Sequence, residues 1–342
     1  MNPVRPAGQN SNPHEIQYNL ATWLESVAPK ILGCDQCTPQ IHVDQQIIRP
    51  KAAISFYRLE CTHHKVRCCV KQFTHANTEE LAKLYRKGQM IQPLLGGLAI
   101  STPHFLGFNS ELKSIAMGFA QGEPLEDLIV TSFFRGKAFR KYCTTAIERL
   151  AKIQARLHST PIRDDMPMAK PCSNSEYVRR YHELHVGEFA NECLTIDAKS
   201  PQRVLDSLPA QFWDRHEKCL LHGDFQAKNV LVSNDEEISL IDLSFGYGHP
   251  LFDVAQFLIQ LERLHRRWRL PHVQNLVRAY GEVFLSTFYG QGFNHLREDL
   301  AFFMLWSTTH SLIDDAKHSW PARAYIRHYV RSSGLSDYWC SV

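Results

Sequence analysis

Residues 220–232 read LLHGDFQAKNVLV, in which two apolar runs typical of buried strands flank a polar loop. The sequence ISLIDL follows at residues 238–243, and a turn-forming Asn-Asp pair separates it from the second apolar run. This order predicts a β-hairpin whose open end brings Asn229 and Asp242 side by side. A further acidic side chain, Asp224, stands in the polar loop five positions before Asn229.

The side chains in this pattern suit phosphoryl transfer. Mg²⁺ prefers oxygen ligands and keeps most of its waters, so one amide and one carboxylate, Asn229 and Asp242, are sufficient protein ligands. Asp224 is a separate carboxylate, which we expect to face an incoming hydroxyl group and to accept its proton as the phosphoryl group moves. The pattern therefore predicts a magnesium-dependent site with Asp224 as its base.

The rest of the chain divides into a strand-rich part and a helical part. Residues 40–73 contain three short runs rich in Ile, Val, Phe, Tyr and Cys, which predict antiparallel strands. A helix is predicted from Asn77 to Gln92, and two further strand-like runs follow before Pro124. After Pro124 apolar residues recur every three or four positions, which predicts a mainly helical region.

Several motifs resemble those of one enzyme family. The order HxDxxxxN followed by an aspartate at the end of a strand resembles the catalytic and metal-binding loops of eukaryotic-like kinases. Its form here, HGDF at residues 222–225 and then Asn229 and Asp242, is similar to the aminoglycoside phosphotransferase and choline kinase-like family. The segments GHPLFDVA at residues 248–255 and QARLH at residues 154–158 carry the same resemblance.

The resemblance implies an α+β, two-lobed protein kinase-like fold. Residues 1–37 are then an N-terminal tail and helix. Residues 38–121 form an ATP-binding lobe with a small antiparallel sheet and one helix, and residues 122–342 form a larger, mainly helical lobe that carries the catalytic residues and binds the acceptor.

The resemblance also implies individual roles in the larger lobe. Asp224 is the catalytic base, and Asn229 and Asp242 are ligands of Mg²⁺. Asp253 is expected to brace the catalytic loop through hydrogen bonds to its backbone, and His222 is expected to pack beneath the metal-binding residues.

The nucleotide-binding residues are expected on two strands and the helix of the small lobe. Lys71 lies on the third strand, and it is expected to contact the α- and β-phosphates of ATP, with Cys69 on the roof of the adenine slot. Glu80 is assigned as the acidic partner of Lys71, although this glutamate would also compensate the dipole at the start of its helix. The hinge facing adenine is predicted to consist of Met117, Gly118 and Phe119.

Two local patterns leave alternatives open. The turn Arg49-Pro50-Lys51 contains no glycine; Arg49 or Lys51 would contact phosphate there, or the turn is an exposed hairpin tip. Cys34 and Cys37 form one CxxC pair, which Cys61, His63 and His64 would complete to a zinc site and which otherwise holds two free thiols.

These observations predict an ATP- and Mg²⁺-dependent enzyme that moves the γ-phosphate to a hydroxyl of a small molecule, such as a sugar, an amino alcohol or an aminoglycoside-like compound. One alternative is a protein kinase-like enzyme, although Phe-Gly does not follow Asp242 directly and no Ala-Pro-Glu segment closes the region. The other alternative is a catalytically inactive nucleotide-binding scaffold. The intact set of Lys71, Asp224, Asn229 and Asp242 argues against it.

The sequence of the larger lobe does not single out one class of acceptor. Residues 263–269, RLHRRWR, are either a solvated helix face or a contact for an anionic or membrane-adjacent substrate. Acidic residues that would suit a cationic acceptor are Glu298, Asp299, Asp314 and Asp315. Aromatic residues that would form a cage for a choline-like group, or simply belong to the core, are Phe302, Phe303, Trp306 and Trp320.

Composition excludes several other classes. The chain has 342 residues, 44% of them hydrophobic, and 38 Lys and Arg balance 35 Asp and Glu to a net charge of +3. This balance predicts no nucleic-acid partner. There is no run of about 18 apolar residues, so no membrane span is expected. The scattered cysteines and the polar N-terminus predict a cytoplasmic protein with reduced thiols, as a monomer or homodimer.

Overall fold

The computed structural model describes residues 13–32, 38–48, 52–62, 64–74, 76–160, 218–244, 246–268 and 270–300, together with residues 303, 304 and 307. The chain divides into two compact units, Met1–Leu94 with Thr102–Ala120 and Leu95–Ser101 with Gln121–Val342. Some predictions lie outside the described residues, namely those on Cys34, Cys37, Arg49, Lys51, His63, Phe302, Trp306, Asp314, Asp315 and Trp320.

The first unit contains the predicted antiparallel sheet. Its strands lie in the order β1-β2-β3-β5-β4, and every neighbouring pair is antiparallel. The strands are β1 (Gln40–Ile48), β2 (Ala52–Glu60), β3 (Lys65–Phe73), β4 (Phe105–Asn109) and β5 (Ser114–Gly118). Strand β3, which carries Lys71, is therefore an interior strand.

Helix α1 (Pro13–Leu32) covers one face of this sheet. Its buried residues recur every four positions, so they form one apolar stripe, which consists of Leu20, Leu24, Ala28 and Leu32. Opposite this stripe lie buried residues of β2 and β3, among them Cys68 and Val70. Because side chains alternate along a strand, Cys69 and Lys71 lie on the other face, as the sequence predicts.

Helix α2 (Thr78–Gly97) is longer than the sequence predicts. The prediction ended it at Gln92, because proline lacks the N–H group that continues the helical hydrogen bonding. The helix instead continues through Pro93 for another turn. Ile91 and Leu95 lie four positions apart on one helix face and are each only 1% exposed. Burial of both side chains compensates for the hydrogen bond lost at the proline.

The second unit combines small sheets with long helices. One sheet contains β6 (Glu123–Pro124), β8 (Val230–Val232) and β9 (Ile238–Leu240), and a second pairs β7 (Cys219–Leu221) with β10 (Gly246–Gly248). The helices are α3 (Leu125–Ser132), α4 (Lys137–His158), α5 (Leu251–Arg267) and α6 (Pro271–Phe288). Helix α6 packs against both α4 and α5, which buries one face of each.

The start of β6 requires a glycine. Gly122 has φ +130°, a backbone conformation that residues with a Cβ rarely adopt. A Cβ at this position would also lie 2.7 Å from the backbone of Val232 in β8. Gly122 therefore allows β6 to approach β8 closely, at the turn that the sequence marks just before Pro124.

Candidate active site

The predicted hairpin is present and is formed by β8 and β9. Val230 pairs with Leu240, and beyond this pair the N–H of Ile241 donates a 2.9 Å hydrogen bond to the carbonyl oxygen of Asn229. Asp242 is the next residue after Ile241, so its backbone lies beside Asn229 where the hydrogen bonding of the hairpin ends. The structure brings these two predicted metal ligands together at the open end of the hairpin.

Asp224 is held by two amide side chains. The Nε2 group of Gln226 donates a hydrogen bond to its Oδ1 oxygen. The Nδ2 group of Asn229 donates to Oδ2 at 2.9 Å and to the backbone carbonyl oxygen of Asp224 at the same distance. The predicted base and the predicted ligand Asn229 are thus in direct contact, and the orientation of the carboxylate is fixed from both sides.

These contacts orient Asn229 as well. Both hydrogens of its carboxamide nitrogen are directed to Asp224, so its Oδ1 oxygen is the atom suited to a cation. With the Asp242 carboxylate, this oxygen gives the hard donor set that suits Mg²⁺, and water would complete the coordination. The described residues contain no group of three or more His, Cys, Asp or Glu side chains arranged for a metal ion.

Asp242 adopts an uncommon backbone conformation. Its φ is 56°, in the left-handed region, and its side chain is exposed. This conformation is unfavourable for a residue with a Cβ and occurs preferentially at functional sites. Ala99, Lys113 and Glu236 share this left-handed conformation, so the role of Asp242 as a metal ligand stays a prediction.

The polar loop between β7 and β8 is anchored by Asp253 of α5. The carboxylate of Asp253 accepts hydrogen bonds from the backbone N–H groups of His222, at 2.7 Å, and Gly223, at 3.1 Å. Gln154 of α4 donates to the same carboxylate at 2.8 Å, and His158 Nε2 lies 3.2 Å from it. The predicted bracing role of Asp253 is confirmed, and the QARLH segment supplies two of its partners.

Burial and hydrogen bonding act in opposite directions on Asp253, which is 1% exposed. Burial alone raises its pKa, but the hydrogen bonds from His158 and the His222 backbone outweigh this effect and hold the pKa below its usual value. Burial lowers the pKa of His222, whose ring is therefore neutral. Its Nδ1 atom accepts a 3.2 Å hydrogen bond from the N–H of Asp224, so His222 holds the backbone of the polar loop, and its packing beneath the metal-binding residues stays a prediction.

Phe225 joins the loop to the helical core. Its ring is fully buried and lies 5.9 Å from the ring of Phe257 in α5 and 6.3 Å from that of Phe284 in α6. Its N–H donates a 2.9 Å hydrogen bond to Oε1 of Gln256. The sequence prediction did not include Gln226 or Gln256. For Gln256 a signal exists, because it lies three positions after Asp253 and thus on the same face of α5.

The predicted nucleotide-binding residues lie in the first unit. Lys71 pairs in register with Ile115, and Cys69 pairs with Met117, so Cys69 and Met117 are neighbours across β3 and β5. The ring of Phe119 is held between Phe56, at 5.8 Å, and the Arg67 guanidinium, at 3.8 Å.

Two backbone N–H groups of the predicted hinge already make hydrogen bonds within the first unit. The N–H groups of Gly118 and Phe119 donate to the carbonyl oxygens of His104, at 2.7 Å, and Arg67, at 3.2 Å. These two amides are therefore occupied by backbone carbonyl groups of the first unit, and the contact of Met117, Gly118 and Phe119 with a nucleotide base stays a prediction.

Glu80 takes part in a helix capping box. Its N–H donates to Oδ1 of Asn77 at 2.8 Å, and its Oε2 accepts from the N–H of Asn77 at 3.0 Å. This local role agrees with the alternative interpretation of Glu80 at the helix start. The pairing of Glu80 with Lys71 stays a prediction.

We expect Asp253→Ala to destabilise the second unit strongly. The change leaves the buried N–H of His222, the N–H of Gly223 and the buried side chains of Gln154 and His158 without their common partner, so the free energy of unfolding should fall by about 3–5 kcal/mol. Urea denaturation measures this loss, and Asp235→Ala in the exposed turn of the hairpin is the control, with an expected change within about 0.5 kcal/mol. Equal stability of the two variants would contradict the anchoring role.

None of the described helices is long and apolar enough to cross a membrane. A comparison with curated proteins finds no match to the sequence.

Solved structures of small-molecule kinases share the fold at low identity. Macrolide 2'-phosphotransferase from Brachybacterium faecium matches 89% of this chain and 96% of its own, with 14% identity and a TM-score of 0.57. Choline kinase from Cryptosporidium parvum Iowa II matches 88% and 91%, with 14% identity and a TM-score of 0.55. The GDP complex of aminoglycoside 2'-phosphotransferase-IIIa matches 97% and 95%, with 15% identity and a TM-score of 0.54.

These likenesses confirm the α+β, kinase-like fold that the sequence predicts. The family model described as the phosphotransferase enzyme family matches residues 54–296, which include the hairpin, the polar loop and Asp253. The chain therefore belongs to the phosphotransferase enzyme family and is a phosphotransferase that acts on small molecules.

Proposed function

We propose that the protein transfers the γ-phosphate of ATP, with the help of Mg²⁺, to a hydroxyl group of a small molecule. The observation that carries this proposal is the contact of Asp224 with Asn229 at the open end of the β8–β9 hairpin. This contact joins a candidate base to a candidate metal ligand. Membership in the phosphotransferase enzyme family supports the reaction class.

Asp224 is suited to the role of general base. Its carboxylate is half-buried, and the amide groups of Gln226 and Asn229 fix its plane. Each of its oxygens retains a second lone pair, which can accept the proton of an acceptor hydroxyl. In phosphoryl transfer such a group mainly orients the hydroxyl and takes its proton late, so fixed geometry contributes more to the rate than high basicity.

Asn229 and Asp242 would hold Mg²⁺ through the amide oxygen and the carboxylate. Held by these two residues, Mg²⁺ would supply positive charge that offsets the negative charge developing during transfer. Asn229 has a double role, because its nitrogen orients Asp224 while its oxygen remains directed elsewhere. This arrangement links the position of the base to the position of the metal ligand.

The nucleotide itself would be bound by residues of the first unit. Lys71 lies on an interior strand, where its ammonium group suits the phosphates as a point charge. Cys69 and Met117 are adjacent across two strands and provide an apolar surface for the base. The fixed ring of Phe119 would extend this surface. The acceptors named in the structures of similar fold are macrolides, aminoglycosides and choline, so a small alcohol of one of these classes is proposed here.

Asp224→Asn tests this function directly. The change preserves the shape of the side chain and removes the base, so we expect turnover to fall at least about a hundredfold. The affinity for ATP with Mg²⁺ should stay close to that of the wild type, because nucleotide binding needs no base. ADP release measures turnover and calorimetry measures affinity. Near-normal turnover of Asp224→Asn with an accepted acceptor would overturn the proposal.

Asp242→Ala tests the metal site. Hydrogen bonds and contacts to charged groups contribute about 1.5–3 kcal/mol, so we expect the affinity gained by adding Mg²⁺ to fall about tenfold or more. The measurement is a titration of ATP with and without Mg²⁺. Asp235→Ala, at the other end of the same hairpin, should retain the full Mg²⁺ dependence. The same metal dependence in both variants would show that Asp242 is not a ligand.

A further inference from the structure

The second unit presents an exposed aromatic patch apart from the candidate active site. The connection between α3 and α4 meets the connection between α5 and α6 there, where the rings of Phe134 and Trp268 lie 5.3 Å apart. Phe134 is 63% exposed and Leu270 is 43% exposed, while Phe133 is buried behind them, 6.1 Å from Trp268. We call Phe134, Trp268 and Leu270 the aromatic patch. Exposed apolar groups that adjoin one another in this way indicate an interaction surface.

The sequence around the aromatic patch is basic on both sides. Residues 128–147 and 263–281 together contain nine Lys and Arg and no Asp or Glu, although acids and bases nearly balance over the whole chain. The described Lys and Arg side chains that are exposed there are those of Arg135, Lys137, Lys141 and Arg267. The patch is therefore apolar at its centre and positively charged around its edge.

Two helix starts add to this positive charge. Helix α4 begins at Lys137 after Gly136, and α6 begins at Pro271 after Leu270. Neither start has a capping side chain or an acidic residue in its first turn. A basic residue such as Lys137 is unfavourable at the positive end of a helix dipole. A side chain that is unfavourable for its own helix is expected where that side chain serves binding rather than folding.

We propose that the aromatic patch docks on an anionic lipid surface. Phe134 and Leu270 would enter the boundary between headgroups and acyl chains, where apolar side chains gain from burial, and the surrounding basic side chains would contact the anionic headgroups. A nucleic acid would also attract the basic side chains and would stack on Phe134 or Trp268, but it offers no apolar surface that buries Leu270. The combination of an apolar centre and a basic edge fits a membrane surface better.

Vesicle co-sedimentation tests the proposal with the full chain. The two probes are vesicles of phosphatidylcholine mixed with phosphatidylglycerol and vesicles of phosphatidylcholine alone. We expect the protein to bind the mixed vesicles at low ionic strength, to bind the neutral vesicles much more weakly, and to be released from the mixed vesicles by salt, which screens the headgroup charges.

A pair of charge-reversal variants locates the surface. Lys137→Glu combined with Lys141→Glu should lower the partition coefficient at least about 25-fold, because each basic residue near an anionic surface contributes about fivefold. Lys152→Glu combined with Arg156→Glu changes the net charge equally, on exposed positions further along α4, and should bind nearly as the wild type. An acid at position 137 favours the helix start, so unfolding does not account for a loss of binding.

A second pair of variants tests the apolar contact. Phe134→Ser should weaken binding to the mixed vesicles about tenfold, the gain expected from burying one large apolar side chain. Val43→Ser, at an exposed apolar position of β1, is the matched control and should have little effect.

Three results would overturn the proposal. The first is a wild-type chain that stays in solution with the mixed vesicles at low ionic strength. The second is an equal loss of binding in the control variants, which would show that general charge rather than this surface is responsible. The third is a wild-type chain that binds duplex DNA or RNA but not vesicles, and that loses this binding when Lys137 and Lys141 are changed to Glu. That result would assign the patch to a nucleic acid.

Discussion

The carboxylate of Asp253 is the group on which the candidate active site depends. It is buried at the start of α5 and accepts hydrogen bonds from the backbone N–H groups of His222 and Gly223. A buried charge is unfavourable without such partners, so the loop and the carboxylate stabilise each other only in this arrangement. The helical core thus fixes the shape of the polar loop through two contacts. One is the carboxylate of Asp253, and the other is Gln256, which accepts a hydrogen bond from the N–H of Phe225.

Fixing the loop also fixes the side chains that are proposed to carry the chemistry. Asp224 receives hydrogen bonds from Gln226 and Asn229, and Asn229 is itself held by the hairpin through its carbonyl oxygen. A carboxylate oriented before the substrate arrives needs no reorganisation during the reaction, which is the main advantage of a rigid site. The strained backbone of Asp242 fits the same picture, because the surrounding structure maintains an unfavourable conformation at the position where a metal ligand is proposed.

Features that depend on local periodicity or motif order could be predicted from the sequence. The hairpin that joins Asn229 to the Asp242 segment follows from two apolar runs and a turn. The sheet face on which Lys71 lies, opposite Val70, follows from strand alternation. Features that depend on tertiary packing could not. Helix α2 continues through Pro93 because Leu95 beyond it is buried, and the role of Gln256 depends on the N–H of Phe225, which lies 31 positions earlier in the chain.

Transfer of a phosphoryl group to an alcohol, rather than to water, is the reaction for which this site is proposed. Phosphorus NMR distinguishes the two outcomes when the wild-type protein is mixed with ATP, Mg²⁺ and a set of sugars, amino alcohols, macrolides and aminoglycosides. We expect the γ-phosphate signal to be replaced by ADP and a phosphate monoester of one acceptor. Release of inorganic phosphate alone, or a monoester that forms equally fast without the Asp224 carboxylate, would contradict the proposed mechanism.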